Sequence, residues 1–344
     1  MTEKYNILEH MRMRPGMYVG FLNHFGYNEL ISYFIKDFIR ADIYDITFTL
    51  KKDNRLVMKW TSYKKTLFNT EIIKKINQYQ QEPFYLSLAG IIALTEYSTI
   101  EINGVPILQS EKGNFEVLDS INYINEEETC NWTIDFIPDQ DIFKGLILSY
   151  QILNDLFRRF SFLDSNMKIK SIDESEDEQQ INIFHYPNGL AEIINYEVEK
   201  SLLYDFYFFT LNFRKKTEYS YSVAFAFADN QIFKPKIKIY ANYQETFLGG
   251  SLLDGIMQGF KMSLKEEAAK RNMKLNISTT RLKKYLLLYA SVQGELTFLG
   301  STRWKLGTLK VQTEIKNFMY EELKLYFANN EDKVIHILQI LRDE

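Results

Sequence analysis

Leu30, Ile31, Phe34, Ile35, Phe38 and Ile39 fall at helical spacing within residues 29–41, so this stretch predicts an amphipathic helix. The period then changes to two. Over residues 43–50, Tyr44, Ile46, Phe48 and Leu50 alternate with Ile43, Asp45, Thr47 and Thr49, as in a half-buried strand. Residues 55–60 are expected to return antiparallel across a turn at Asp53-Asn54, and residues 99–107 hold Asn103-Gly104, a dipeptide suited to a two-residue hairpin. Residues 131–137 alternate again and end at Pro138, while residues 149–160 have a helical period. Residues 167–172 and 181–186 then read as a hairpin around the acidic stretch 173–180, a solvated turn.

A second unit begins near Gly189 or Tyr196. Strands are expected over residues 219–228 and 236–241, leading into Gly249-Gly250. A long amphipathic helix follows over residues 252–272, a further element starts within 281–288, and residues 310–328 read as a helix. No internal repeat or low-complexity linker interrupts the chain. The pattern is α+β twice over, with mostly antiparallel strands and domains at residues 1–188 and 189–344.

The 344 residues, 46% of them hydrophobic, suffice for about two domains of ordinary size. No apolar stretch approaches the roughly 18 residues of a membrane span and no leader pattern opens the sequence, so a cytoplasmic protein without membrane association is expected. The single cysteine, Cys130, cannot form an internal disulfide and is read as a buried thiol. His10, His24, His185 and His336 lie far apart without acidic neighbours at ligand spacing, so no metal site is expected, and no serine or cysteine nucleophile constellation is present.

Charge changes the picture. The formal charge is -4, yet residues 261–310 hold eleven Lys or Arg against three Glu, leaving 30 basic and 42 acidic residues elsewhere. Lys270, Arg271, Arg281, Lys283 and Lys284 are therefore candidates for DNA contact, with a solvated helix face as the other reading.

Several ordered stretches resemble one family. Ile7-Leu8-Glu9-His10-Met11-Arg12-Met13-Arg14-Pro15-Gly16-Met17-Tyr18-Val19-Gly20 is similar to the Leu-x-x-Val-Arg-x-Arg-Pro-Gly-Met-Tyr-Ile-Gly run of type IIA topoisomerase B subunits, the gyrase B and topoisomerase IV group. Ile134-Asp135-Phe136-Ile137-Pro138-Asp139 and Leu156-Phe157-Arg158-Arg159-Phe160-Ser161-Phe162-Leu163 resemble that family's closing strand and the helix after it. Phe184-His185-Tyr186-Pro187-Asn188-Gly189-Leu190, Gly249-Gly250-Ser251-Leu252-Leu253-Asp254-Gly255 and Phe298-Leu299-Gly300-Ser301-Thr302-Arg303-Trp304-Lys305-Leu306-Gly307 resemble stretches of its second domain. The resemblance spans nearly the whole chain. It implies a GHKL-like (Bergerat) α/β sandwich followed by a ribosomal-S5-like transducer domain, with Gly16 and Gly20 holding a turn in the first segment.

The family's chemistry is not matched. Its helix run Glu-x-x-Asp-Asn-Ala-x-Asp, with a general base and a magnesium-holding Asn, falls on Tyr33, Lys36, Asp37 and Arg40. A phenol with a pKa near 10 is a poor base at neutral pH. Asp37 could hold magnesium through oxygen, though Lys36, Asp37 and Arg40 read more simply as a solvated helix face. Where the family has an adenine-binding Asp and glycines, this chain has Trp60-Thr61-Ser62-Tyr63-Lys64-Lys65. The glycine-rich phosphate lid would fall within residues 82–90, where Phe84-Tyr85-Leu86-Ser87-Leu88-Ala89 puts bulky side chains in place of a backbone cradle, and residues 69–83 are too short for a full lid. At the family's Gln-Thr-Lys loop stands Ser301-Thr302-Arg303, whose guanidinium can bind phosphate or belong to the basic surface.

These readings lead to a bacterial, gyrase-B-like protein without ATPase activity, a binding or regulatory module acting on DNA or a topoisomerase partner, or self-associating. No cofactor is expected. The alternative is a divergent ATPase in which Asp37 and Arg303 replace the usual ligands of ATP and magnesium. The family's cleavage domain is not matched, so strand passage by this chain alone is not expected. Six residues precede the matching region, so dimerisation through an N-terminal arm is expected to be impaired.

Overall fold

A computed structural model describes residues 6–62, 70–77, 84–123, 129–201, 207–228, 235–300 and 303–342. The chain divides into two compact units, Met1–Pro187 and Asn188–Glu344. The first contains α1 (Ile7–Met13), α2 (Gly16–Val19), α3 (His24–Arg40), β1 (Asp45–Lys51), β2 (Leu56–Ser62), α4 (Thr70–Lys74), α5 (Tyr85–Leu94), β3 (Thr95–Ile102), β4 (Val105–Glu111), β5 (Asn114–Val117), β6 (Cys130–Pro138), α6 (Tyr150–Leu163), β7 (Lys168–Glu174) and β8 (Gln180–His185).

Its eight strands form one sheet in the order β5-β4-β3-β6-β2-β1-β7-β8. All pairs are antiparallel except β1 with β7, where Asp45 lies opposite Lys168 and Lys51 opposite Glu174. Asn54 takes a left-handed φ of 62° at the first turn, and Asn103 and Gly104, at 52° and 79°, make the tight hairpin their sequence predicts. Period-two alternation then sends Phe48, Met58, Ile134 and Ile100, neighbours across four strands, into the core. The other face is polar, with ion pairs from Lys51 to Glu174, Lys168 to Asp45 at 2.8 Å and Arg55 to Asp135 at 3.5 Å.

Helices cover the apolar face. Asn23 caps α3 by accepting from the Phe25 N–H at 2.9 Å, and Leu30, Ile31, Phe34, Ile35 and Phe38 are buried along the helix. Ser149 caps α6, whose Phe157 stacks on Phe48 with ring centroids 4.3 Å apart. Packed against α1 and α3, α5 is a helix that the hydrophobic pattern does not predict. Apart from Ser87 and the Tyr85 hydroxyl its residues are apolar on every side, and all but Leu86 are buried, so no period marks it. Gly90 lets it approach α3, since a Cβ there would lie 2.5 Å from the Leu30 side chain.

The Met11 to Gly20 segment anchors this layer. Arg12 donates from Nη1 to the Ala93 carbonyl at 2.7 Å, near the C-terminus of α5, and from Nη2 to the fully buried Asp139 at 2.7 Å. Gly20 adopts φ 75°, which favours glycine. Gly16 corrects the expectation: it begins α2, has open space around it and needs no left-handed conformation. The glycine the packing requires is Gly26, whose Cβ would lie 1.7 Å from the Phe21 carbonyl oxygen.

The second unit contains α7 (Leu190–Ser201), β9 (Tyr207–Lys216), β10 (Ser220–Ala228), β11 (Lys236–Ala241), β12 (Gln244–Glu245), α8 (Ser251–Lys270), α9 (Thr279–Lys283), β13 (Leu286–Gln293), α10 (Leu309–Ala328) and α11 (Glu331–Arg342). The sheet order is β12-β11-β13-β10-β9, with only β11 and β13 parallel. Residues 281–288 are two elements, not one: the end of α9, capped by Ser278, and the start of β13. Phe225, Leu288 and Val292 pack with Ile256, Phe260, Ile315 and Met319 in one core.

The α8–α10 contact is unusually close because two glycines on α8 face α10. A Cβ at Gly255 would sit 2.5 Å from the Gln312 carbonyl oxygen, and one at Gly259 would sit 2.7 Å from that of Lys316. On the opposite sheet face Tyr289 donates to Glu197 of α7 at 2.7 Å.

Candidate functional site

The site suggested by the sequence lies on α3. Tyr33, Lys36, Asp37 and Arg40 recur at spacings of three and four, so they share one side of the helix. Tyr33 is half-buried and its hydroxyl donates to the Tyr18 carbonyl. Its proton is therefore engaged with the backbone of the Met11 to Gly20 segment. Lys36 lies 5.4 Å from the Tyr33 ring centroid and donates to Glu29 at 3.1 Å. Burial pushes the Lys36 pKa down, against the pull of Glu29.

Asp37 is buried. One oxygen, Oδ2, accepts from the Phe84 N–H at 3.1 Å and from the Ser87 hydroxyl at 2.8 Å, while Oδ1 pairs with Arg40 Nη1 at 2.8 Å. Burial raises its pKa, opposed first by the Ser87 bond and then by Arg40. The three residues are thus not a solvated face: only Arg40, 64% exposed, stands in water, while Asp37 is held by the N-terminus of α5. Sequence reasoning missed the bonds from Phe84 and Ser87. A signal was available, because the α5 run opens without a capping side chain at Phe84 and must satisfy its first N–H groups elsewhere.

Phe84, whose N–H meets this carboxylate, belongs to a cluster of aromatic rings. Phe38 lies 4.8 Å from Trp60 and 5.4 Å from Phe84 by ring centroids, and Trp60 stacks on Trp132 at 5.8 Å with planes 3° apart. Trp60 and Phe84 are both buried. Phe84 takes a left-handed φ of 63° to begin α5. Of the remaining candidate positions, Tyr63-Lys64-Lys65 and Ser301-Thr302 lie outside the described residues, as do residues 78–83 and 69 of the short lid segment. Arg303 is exposed, has φ 55° and places its guanidinium 5.7 Å from the Phe298 ring centroid.

The basic candidates do not form one uniform surface. Lys270 pairs with Glu266 at 3.0 Å and Glu267 at 2.7 Å, and Arg271 with Glu267 and, at 3.2 Å, with Glu331. Arg281 donates to the Ile340 carbonyl at 3.3 Å, while Lys283 and Lys284 stand at the end of α9. Among the described residues no group of three or more His, Cys, Asp or Glu is arranged to hold a metal ion, and no helix is long and apolar enough to cross a membrane. Cys130 is buried.

Comparison with known proteins agrees along the chain. The family model for DNA gyrase B matches residues 189–344. The B subunit of DNA topoisomerase 4 from Enterococcus faecalis is 24% identical over 94% of this chain and 52% of its own length, and that from Bacillus subtilis is 25% identical over 94% and 53%. The B subunit of DNA gyrase from Clostridium acetobutylicum is 25% identical over 94% and 55%. This chain thus spans about half the length of the curated relatives it matches.

Among solved structures, the gyrase B protein of Myxococcus xanthus superposes with a TM-score of 0.74 at 17% identity, covering 97% of this chain and 99% of that one. The 43K ATPase domain of Thermus thermophilus gyrase B, solved with an aminocoumarin, gives 0.71 at 20% identity, covering 96% and 94%. The two-unit α+β fold is therefore that of the gyrase B ATPase region, GHKL sandwich included. By fold, by relatives along most of its length and by the match to its second unit, the chain is a relative of the B subunits of gyrase and topoisomerase IV.

Proposed function

We infer that this chain is a non-hydrolysing relative of the topoisomerase ATPase half, acting as a binding or regulatory module in the cytoplasm. The observation that carries this reading is Asp37. The resemblance puts the family's magnesium-holding residue at position 37 and its phosphate lid across residues 82–90. Here the carboxylate at 37 accepts from the backbone N–H of Phe84 and the hydroxyl of Ser87. A helix N-terminus attracts anions through its free N–H groups and dipole, and this one already has an anion. A phosphate arriving there would meet a like charge as well as the buried rings of Phe38, Trp60 and Phe84. Tyr33, at the general-base position, has its proton committed to a carbonyl and supplies no carboxylate to activate water.

A topoisomerase subunit is the partner class this reading favours, through the likeness to one half of that machine. DNA is the weaker choice for the basic stretch, because Lys270 and Arg271 already have carboxylate partners within the fold. Calorimetric titration with ATP and magnesium, followed by a phosphate-release assay, tests the proposal. Neither binding at micromolar concentration nor turnover above background is expected. Magnesium-dependent micromolar binding, with turnover abolished by Tyr33→Phe or Asp37→Ala, would establish the divergent ATPase instead.

A further inference from the structure

In the second unit, the loop before α8 and the loop before α10 are joined into one platform. The Leu248 N–H donates to the Trp304 carbonyl at 2.9 Å, Leu306 to Gly249 at 3.0 Å, Ser251 to Leu306 at 3.0 Å and Leu299 to Lys305 at 2.9 Å. Gly250 permits the contact: at φ 104° its Cβ would lie 2.1 Å from the Leu306 oxygen. These bonds join the two loops, yet several side chains beside them are open to water. Phe247 is 66% exposed, Leu248 65%, Leu299 58% and Trp304 41%. Phe247 and Trp304 meet edge to face with ring centroids 6.1 Å apart, and large apolar groups exposed together mark an interaction site more often than isolated ones do.

Charge identifies what would cover it. Lys236, Lys238, Lys270, Arg271 and Lys310 in the same unit each have a carboxylate partner. Arg303 and Lys305, exposed beside Trp304, form no ion pair with an acidic group among the described residues. The surface is thus apolar at its centre and cationic at its edge. Nucleic acid fits poorly, because the Phe247 and Trp304 rings stand at 82° to each other, so successive bases cannot stack on both. Leu248 and Leu299 offer no ring for stacking either.

We propose that this platform docks an acidic amphipathic segment of a partner protein. The segment's apolar side chains cover Phe247, Leu248, Leu299 and Trp304, and its carboxylates meet Arg303 and Lys305. An aromatic anchor with an arginine beside it is the usual composition of an energetic centre in a protein interface. This proposal concerns the second unit alone and stands whether or not the first unit binds nucleotide.

Fluorescence anisotropy with the full chain tests it. The probe is a labelled synthetic peptide in which Glu alternates with Leu and Phe on opposite faces; its comparators replace Glu with Lys, or Leu and Phe with Ser, and a labelled oligothymidine is run alongside. The acidic amphipathic peptide is expected to bind, and Trp304→Ala to weaken it about tenfold or more, as for a central interface aromatic. Because these side chains are exposed, the variants should melt as the parent does. Reversing both cations, Arg303→Glu with Lys305→Glu, should weaken binding similarly and flatten its salt dependence. The proposal falls if that peptide does not bind, if neither variant changes its affinity, or if the Ser peptide binds equally well. Tighter binding of oligothymidine, lost on the same substitutions, would make the platform a nucleic-acid surface instead.

Discussion

Helices α5 and α8 are both buried against a second helix, but they are held in opposite ways. Helix α8 carries its own means of packing: Gly255 and Gly259 remove side chains along one line, and α10 settles into the notch. Helix α5 borrows what it needs at both ends. Its N-terminus is met by Asp37, 47 residues earlier than Phe84, and its C-terminal turn by Arg12, 81 residues before Ala93. An anion at the first turn and a cation at the last suit the helix dipole. One of these charges lies in a segment that resembles the topoisomerase relatives, and the other stands where the resemblance fails. Asp37 is thus part of what holds a core helix.

Breaking the Arg12 end should have the largest effect. Arg12→Ala leaves the fully buried Asp139 without its cation and the Ala93 carbonyl without its donor, a change expected to cost about 3–5 kcal/mol. Urea unfolding followed by circular dichroism measures it; a loss below about 1 kcal/mol, the worth of an ordinary hydrogen bond, would mean that α5 does not depend on this residue. In the other helix, Gly259→Ala gains helix propensity but forces a methyl group against the Lys316 carbonyl and the Met319 side chain. A net destabilisation of about 1–3 kcal/mol is expected from overpacking. A melting temperature equal to or above the parent's would show that α10 can move aside.

The smallest effect concerns pH at the Asp37 end. Its pKa is raised by burial, so only between the unfolded and folded pKa values does the folded state keep a proton that the unfolded chain has released, and the stability this adds is present at low pH. That contribution is lost as pH rises through the raised folded-state pKa. Asp37→Asn does not titrate, so the parent's stability relative to this variant should decline from acid toward neutral pH. Parallel melts across that range check the sign, and a relative stability that grows with pH would contradict it.

Legibility in the sequence follows the same division. Helices α3, α6, α8 and α10 announce themselves because each has one apolar side and one wet side, and the Asn103-Gly104 hairpin because its dipeptide suits only a few turns. Helix α5 has no wet side, so periodicity passes over it, and the boundary between α9 and β13 falls inside a run read as one element. At the candidate site, the tyrosine at position 33 is plain from residue identity alone. The burial of Asp37 is not, because the groups that surround it come from a segment 47 and 50 residues away. Gly16 and Gly26 make the same point from the other side: the first sits in a resembling run and has space to spare, while the second, whose need for glycine no local pattern reveals, has no room for a Cβ beside the Phe21 carbonyl.

The parallel pairing of β1 with β7 bears on how the protein is made. The strands are neighbours in the sheet although 123 residues separate Asp45 from Lys168. During synthesis β1 and β2 emerge early, and the edge of β1 that β7 will occupy stays vacant until translation has passed residue 174. An unpaired strand edge bearing Ile46, Phe48 and Leu50 is a template for pairing with the wrong chain. The nascent first unit is therefore most exposed to aggregation in the interval between the two strands, and slowing translation within it would lengthen that exposure.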